Sequence, residues 1–235
     1  QPIKGRHINM ESFYEYGSRR GFWRLHKLFS EKKIPITIFG VAMALERNPE
    51  VCEAIKNGNY EVACHGWRWI DYQNVKKSVE KKHMLLAINT IKRIFGKRPL
   101  GWYTGRCSPN TRELVFKEGG FLYDSDSYSD DLPYWEKRKN KKQLIIPYTL
   151  DNNDMRFATN QGFNCGDQFY TYLKDSFDVL YEEGKKCGAL GGKINGSGGG
   201  GCMFAYSHRN TEEIAMAIER TGGKAYIIEQ DSGVI

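Results

Sequence analysis

A chain of 235 residues with 40% hydrophobic and 27% charged residues can bury one barrel-sized core or two small ones, which excludes a fibrous or wholly disordered protein. A mean hydropathy of −0.60 and the lack of a long apolar run exclude a membrane-spanning helix, so no membrane partner is expected. Much of the excess behind the net charge of +7 sits in two short runs, Lys76–Lys82 and Glu136–Lys142; without interleaved aromatic rings these read as a solvated helix face and an exposed loop, and no nucleic-acid partner is expected.

The first residues, Gln1 to His7, show no basic stretch followed by an apolar one, so nothing there reads as a secretory signal, although a processed chain would look the same, and the expected location is cytoplasmic. The six cysteines (Cys52, Cys64, Cys107, Cys165, Cys187 and Cys202) are scattered without a Cys-x-x-Cys pair. They read as buried or idle thiols, not as a zinc knuckle or a disulfide framework.

In chain order, the pattern predicts a helix over Ser18–Lys32 and a strand over Ile36–Phe39. Asn48-Pro49 then places a capping residue before a proline at the first helical position; this helix runs through Val51 and Ile55 and is expected to end with Gly58 in the left-handed conformation. The strand Tyr60–Cys64 leads to His65. The next helix, about Val75 to Phe95, carries Met84, Ile88, Ile91 and Phe95 as one apolar stripe and stops at Gly96 and Pro99.

A strand over Leu100–Thr104 leads to Arg106, and Asn110 with Glu113 resembles a capping box for a helix that ends at Gly119-Gly120. Strands over Phe121–Asp126 and Leu144–Leu150 follow, the latter opening into Asp151-Asn152-Asn153-Asp154. A long helix over Gly166–Gly184 comes next. Helices alternating with short strands imply a largely parallel sheet or barrel.

His65, Arg106, Asp126 and the pair Asp151/Asp154 lie at or just past strand C-termini, the ends that converge on one face of an α/β barrel. Each also has a structural explanation: a histidine can be a plain hydrogen-bonder, an arginine can tie down its loop, and aspartates cap turns. Together they suit hydrolysis, with His65 for proton transfer, a carboxylate to orient it or a water, and Arg106 for developing negative charge. His65-Gly66-Trp67-Arg68-Trp69 has no second histidine four residues on, so a His-x-x-x-His metal pair is absent, and His83 reads as a surface residue.

The segments Tyr16-Gly17-Ser18-Arg19-Arg20, Phe39-Gly40-Val41-Ala42, His65–Tyr72, Gly101-Trp102-Tyr103-Thr104-Gly105-Arg106, Tyr123–Tyr128, Leu150–Phe157 and Gly166–Phe169 resemble the cofactor-independent allantoinases of the polysaccharide deacetylase superfamily. That resemblance covers residues 1 to about 186. It implies an α/β fold, an incomplete distorted (β/α) barrel, and the opening of a cyclic amide, allantoin to allantoate, with no cofactor and no metal. It also implies His65, Arg106 and Asp126 as catalytic, with Trp69, Trp102, Asp151 and Asp154 contacting a small-molecule substrate. Trp69 stands where the sugar deacetylases have their second metal histidine. The superfamily's first acidic pair would precede Gln1 and its Leu-His segment would follow Gly184, so the catalytic set in this sequence is expected to be incomplete, and a scaffold that binds without turnover is the alternative. The aromatic content of 13% leaves room for a homo-oligomer interface.

From Gly188 onward, the run Gly188 to Cys202 resembles the third motif of the galactokinase-type small-molecule kinases, which makes Gly196, Ser197, Gly198 and Gly199 a candidate phosphate loop. That family's Pro-rich ATP loop does not occur in the sequence, and kinase activity is not expected. The tail reads as a small β-α-β segment: a strand over Cys202–Tyr206, a helix capped by Asn210 and stopped at Gly222-Gly223, and a strand over Lys224–Ile228.

Overall fold

In a computed structural model of the chain, the residues described are 5–130, 133–138, 141–148, 153–160, 162–189, 191–195, 202–207, 209–221, 225 and 227. They fall into two compact units, Gln1–Ser127 with Tyr134–Ile146, and Tyr128–Pro133 with Pro147–Ile235.

The first unit begins with α1 (Ile8–Tyr16), which passes through a wider π turn at Gly17–Gly21 into α2 (Phe22–Lys32). There follow β1 (Thr37–Gly40), the short α3 (Ala42–Glu46), α4 (Pro49–Asn57), β2 (Glu61–Cys64), α5 (Lys77–Phe95), β3 (Gly101–Trp102), α6 (Thr111–Glu118), β4 (Tyr123–Asp124), β5 (Tyr134–Arg138) and β6 (Lys141–Ile145). The strands form one sheet in the order β1-β2-β3-β4-β6-β5, parallel throughout except for the antiparallel β5–β6 pair. This sheet is open, with β1 and β5 at its edges, as an incomplete barrel requires.

The expected stripe on α5 forms the centre of the core. Met84, Ile88 and Ile91 are buried there against Ile55 of α4, Leu114 and Val115 of α6, and Phe121. Three consecutive β-to-helix crossovers therefore cover the sheet with apolar side chains spaced at helical intervals.

Several local expectations are corrected by tertiary contacts. Asn48 makes no side-chain cap; its Nδ2 instead donates to the Ala44 carbonyl at 2.7 Å, closing the end of α3. Gly58 is right-handed, and the left-handed residue is Asn59, at φ 49°. Asn110 and Glu113 form no capping box: Ser108 Oγ accepts from the Asn110 N–H at 2.9 Å, while Glu113 pairs with Lys77 and Lys117. The basic run at Glu136–Lys142 is not simply a loop, because its flanks are the paired strands β5 and β6 in the register Glu136↔Gln143 and Lys137↔Lys142. Within the other run, Lys77, Lys81 and Lys82 are exposed as expected, but Glu80 is buried.

The second unit contains a 3-10 turn at Asp154–Phe157, α7 (Gly166–Lys186), β7 (Gly191–Asn195), β8 (Cys202–Tyr206) and α8 (Thr211–Arg220). Phe157, Phe163 and Phe169 pack ring against ring, with Phe163 and Phe169 at 5.1 Å, and α7 packs on β7, β8 and α8. The expected strand Cys202–Tyr206 and the helix after it are present as β8 and α8, and they are preceded by a strand that was not expected, Gly191–Asn195, which pairs antiparallel with β8; most of the expected strand Lys224–Ile228 lies outside the described residues. Asn210 precedes α8 at φ 61° without a side-chain cap.

Candidate active site

Register positions the site. The partners Gly40↔Cys64, Cys64↔Trp102, Trp102↔Asp124 and Asp124↔Ile145 put these residues in one row across the sheet. The residues one step further, His65, Tyr103 and Ser125, extend the ladder through His65 N to Gly40 O at 2.9 Å, Tyr103 N to Cys64 O at 3.0 Å and Ser125 N to Trp102 O at 2.8 Å. Immediately beyond, the chain turns away at Gly66 (φ 73°) and Gly105 (φ 67°), a conformation that favours glycine and leaves His65 and the Tyr103–Arg106 turn side by side at the strand ends.

His65 is half-buried, its ring stacked on the Tyr103 ring at 5.2 Å and 10°, with Nδ1 2.6 Å from the Tyr103 carbonyl oxygen. A carbonyl only accepts, so the proton sits on Nδ1 and Nε2 presents a lone pair. Burial pushes the imidazole below its ordinary value, against the Tyr103 carbonyl and the Asp126 charge, while Arg106 adds to the lowering. At neutral pH His65 is therefore an uncharged base. Because the folded value lies below the unfolded one, the associated stability is present above the unfolded histidine pKa and is lost as pH falls through the folded value. We expect an NMR titration of the His65 ring to show a midpoint below 6.5; a midpoint above 6.5 contradicts the burial argument.

Arg106 is exposed, its guanidinium carbon 4.7 Å over the Trp69 ring, and Tyr14 meets the same indole edge-on at 6.1 Å. The main chain of Arg106 is held by the Tyr72 N–H, which donates to its carbonyl at 3.1 Å. Cation–π stacking orients the guanidinium without using its N–H donors.

Asp126 is 9% exposed and its carboxylate is engaged by the turn that carries Arg106. Oδ1 accepts from Thr104 N at 3.0 Å and Gly105 N at 2.8 Å; Oδ2 accepts from Trp102 Nε1 and Thr104 Oγ1, both at 3.0 Å. Trp102 is itself 3% exposed and packs on Phe121 at 5.2 Å, so it lies beneath the strand ends.

A second layer was not read from the sequence. Asp124 is fully buried; its Oδ1 accepts from Asp126 N at 2.9 Å, and its Oδ2 lies 3.3 Å from Arg112 Nε without hydrogen-bond alignment. Burial, with Asp126 adding to it, pushes Asp124 up to about 6. Arg112 also donates to the Asp126 carbonyl and to Glu136, both at 2.6 Å. The alternation Asp124-Ser125-Asp126 was the available signal, since one face of a strand end then carries both acids; Arg112 looks like a solvated residue in a helix's first turn. His83, expected at the surface, is bonded to the Tyr72 hydroxyl at 3.0 Å.

The structure thus brings His65, Arg106, Asp126, Trp69 and Trp102 into the first unit's strand-end region. Asp154 begins the 3-10 turn of the second unit, while Asp151, Gly196, Ser197, Gly198 and Gly199 lie outside the described residues. Sugar deacetylases of the resembled superfamily use a divalent metal, but among the described residues no three of His, Cys, Asp and Glu converge on one point, and the Asp126 oxygens face the turn, so these residues do not fit an ion.

Residues 10–115 match the family model described as polysaccharide deacetylase, and residues 149–223 match that described as GHMP kinases C terminal. A relative from Schizosaccharomyces pombe, whose name carries the words polysaccharide deacetylase, is 43% identical over 200 residues, 78% of this chain and 62% of its own length. A solved structure named Puue allantoinase superposes with a TM-score of 0.75 at 58% identity, covering 79% of this chain and 63% of its own. The mevalonate kinase of Pyrococcus furiosus is 52% identical over 131 residues, 54% of this chain and 39% of its own. The chain therefore spans 62% of the length of the Schizosaccharomyces pombe relative and 63% of that of the allantoinase-named structure.

Proposed function

We propose, taking as premise that residues 10–115 carry the polysaccharide deacetylase family pattern, that the first unit is a hydrolase that opens the hydantoin ring of allantoin to give allantoate. The observation that carries this reading is His65, whose Nδ1 is taken by the Tyr103 carbonyl so that Nε2 is left to accept a proton, next to a guanidinium stacked on Trp69. Identity of 58% to a structure named as an allantoinase supports a ring amide as substrate.

In this mechanism His65 Nε2 takes a proton from water as its oxygen bonds to the ring carbonyl carbon. The carbonyl oxygen becomes negative and is met by Arg106 donors. Collapse breaks the C–N bond, the proton held on His65 passes to the leaving nitrogen, and the ring-opened carboxylic acid gives its remaining proton to solvent to become the carboxylate. General-base catalysis of this kind contributes roughly 10²–10⁴-fold, and loss of one oriented donor to an oxyanion about 10²–10³-fold. Asp126 acts through the turn, keeping Thr104 and Gly105 in place. No step passes through a metal.

Release of allantoate from allantoin by the purified chain tests the proposal. A second reading, a scaffold that binds allantoin without hydrolysing it, is motivated by Asp126, whose oxygens are taken up by the Thr104–Gly105 turn and the Trp102 indole. Thermal stabilisation by allantoin with no allantoate formed selects that reading.

A further inference from the structure

We propose that Glu80 is a positioning residue for Arg106, the second of two buried carboxylates that fasten the Thr104–Thr111 turn at both ends; this deepens, and rests on, the hydrolytic reading above. Asp126 holds the near end of the turn, through Thr104 and Gly105. At the far end Glu80, in the first turn of α5 and 3% exposed, accepts from Ser108 Oγ at 2.6 Å on one oxygen and from Thr111 Oγ1 on the other.

Those two hydroxyls are relays. Ser108 Oγ accepts from the Asn110 N–H at 2.9 Å, and Thr111 Oγ1 accepts from the Ser108 N–H at 2.8 Å. Because each hydroxyl proton is committed to Glu80, its lone pairs are turned onto the backbone, and one carboxylate fixes both the end of the turn and the start of α6. An acid is almost never fully buried unless such partners satisfy it, and its place in the first turn of α5 also suits the positive end of that helix.

Arg106 sits between the two fastenings, its carbonyl bonded to Tyr72 N and its guanidinium over Trp69. Releasing the far end lets the Arg106 backbone drift, and a misplacement of about 1 Å at such a donor lowers rates by about 10²-fold with little change in ground-state binding. A helix-start role alone would affect α6 and leave Arg106 untouched.

The test is Glu80→Gln, which keeps the shape but exchanges one acceptor oxygen for a donor, compared with Ile88→Val, a core change on the same helix. The proposal expects Glu80→Gln to fold cooperatively, to raise amide exchange over residues 104–111 about tenfold while α5 stays protected, and to shift tryptophan emission toward that of Arg106→Ala. With allantoin, kcat falls about tenfold or more and KM stays within about threefold, whereas Ile88→Val changes neither exchange in the turn nor kcat. If Glu80→Gln does not fold, Ser108→Ala, which cuts one arm only, provides the same readouts. Unchanged exchange at 104–111, or loosening spread evenly over α5 and α6, overturns the proposal. A wild type inert toward allantoin defeats the hydrolytic reading, while exchange and emission still decide whether Glu80 fastens the turn.

Discussion

Asp126→Ala is expected to lower the stability of the first unit by about 3–5 kcal/mol, seen as a lower denaturation midpoint in urea with an unchanged slope. The carboxylate is 9% exposed and receives the N–H groups of Thr104 and Gly105, the Thr104 hydroxyl and the Trp102 indole N–H. Alanine removes both acceptor oxygens and leaves these donors facing a small cavity. Each unsatisfied buried donor costs about 1–3 kcal/mol, and the total is less than the sum because water enters and the turn relaxes. Asp126→Asn keeps one acceptor oxygen and should cost distinctly less. If Asp126 serves only as a proton carrier, alanine abolishes activity and leaves the midpoint where it was.

His65→Ala has the opposite signature. The variant should lose at least about 10²-fold in turnover while staying within about 2 kcal/mol of wild-type stability. What alanine removes from the fold is one hydrogen bond to the Tyr103 carbonyl and one stacked contact on its ring, both at the rim of the strand ends and apart from the core of Ile55, Ile91 and Val115. What it removes from the chemistry is the base itself. Global unfolding of the variant in circular dichroism would reassign His65 as a structural hydrogen-bonder.

The helices and parallel strands were legible wherever one periodicity decided them. The Met84, Ile88, Ile91 stripe gave α5 and its buried face, and Gly96 in the left-handed conformation at φ 73° ended it as the sequence pattern implied. Helix starts were misread because capping is a competition among nearby donors and acceptors: the Asn48 amide is taken by Ala44 O, and Ser108 does at α6 what Asn110 and Glu113 were expected to do. Strand β5 gave no signal, since Tyr134–Arg138 is a charged strand at the edge of the described sheet with no apolar alternation to mark it.

In the site, His65, Arg106 and Asp126 were visible because each follows a strand, and strand ends meet on one side of a parallel sheet. Asp124, Arg112, Glu136 and Glu80 were not. A buried acid is recognisable only by the donors folded around it, and those come from residues 12 to 31 positions away in the chain: Arg112 for Asp124, Ser108 and Thr111 for Glu80. The roles of Trp69 and Trp102 also required coordinates, since one stacks on Arg106 at the surface and the other anchors Asp126 from within.

Allantoin hydrolysis by the purified chain, run with and without a chelator beside His65→Ala, tests the central claim most directly. The account predicts allantoate formation that is unaffected by the chelator and lost in the variant. A cooperatively folded sample that releases no allantoate at high protein concentration, or whose activity survives in His65→Ala, contradicts it.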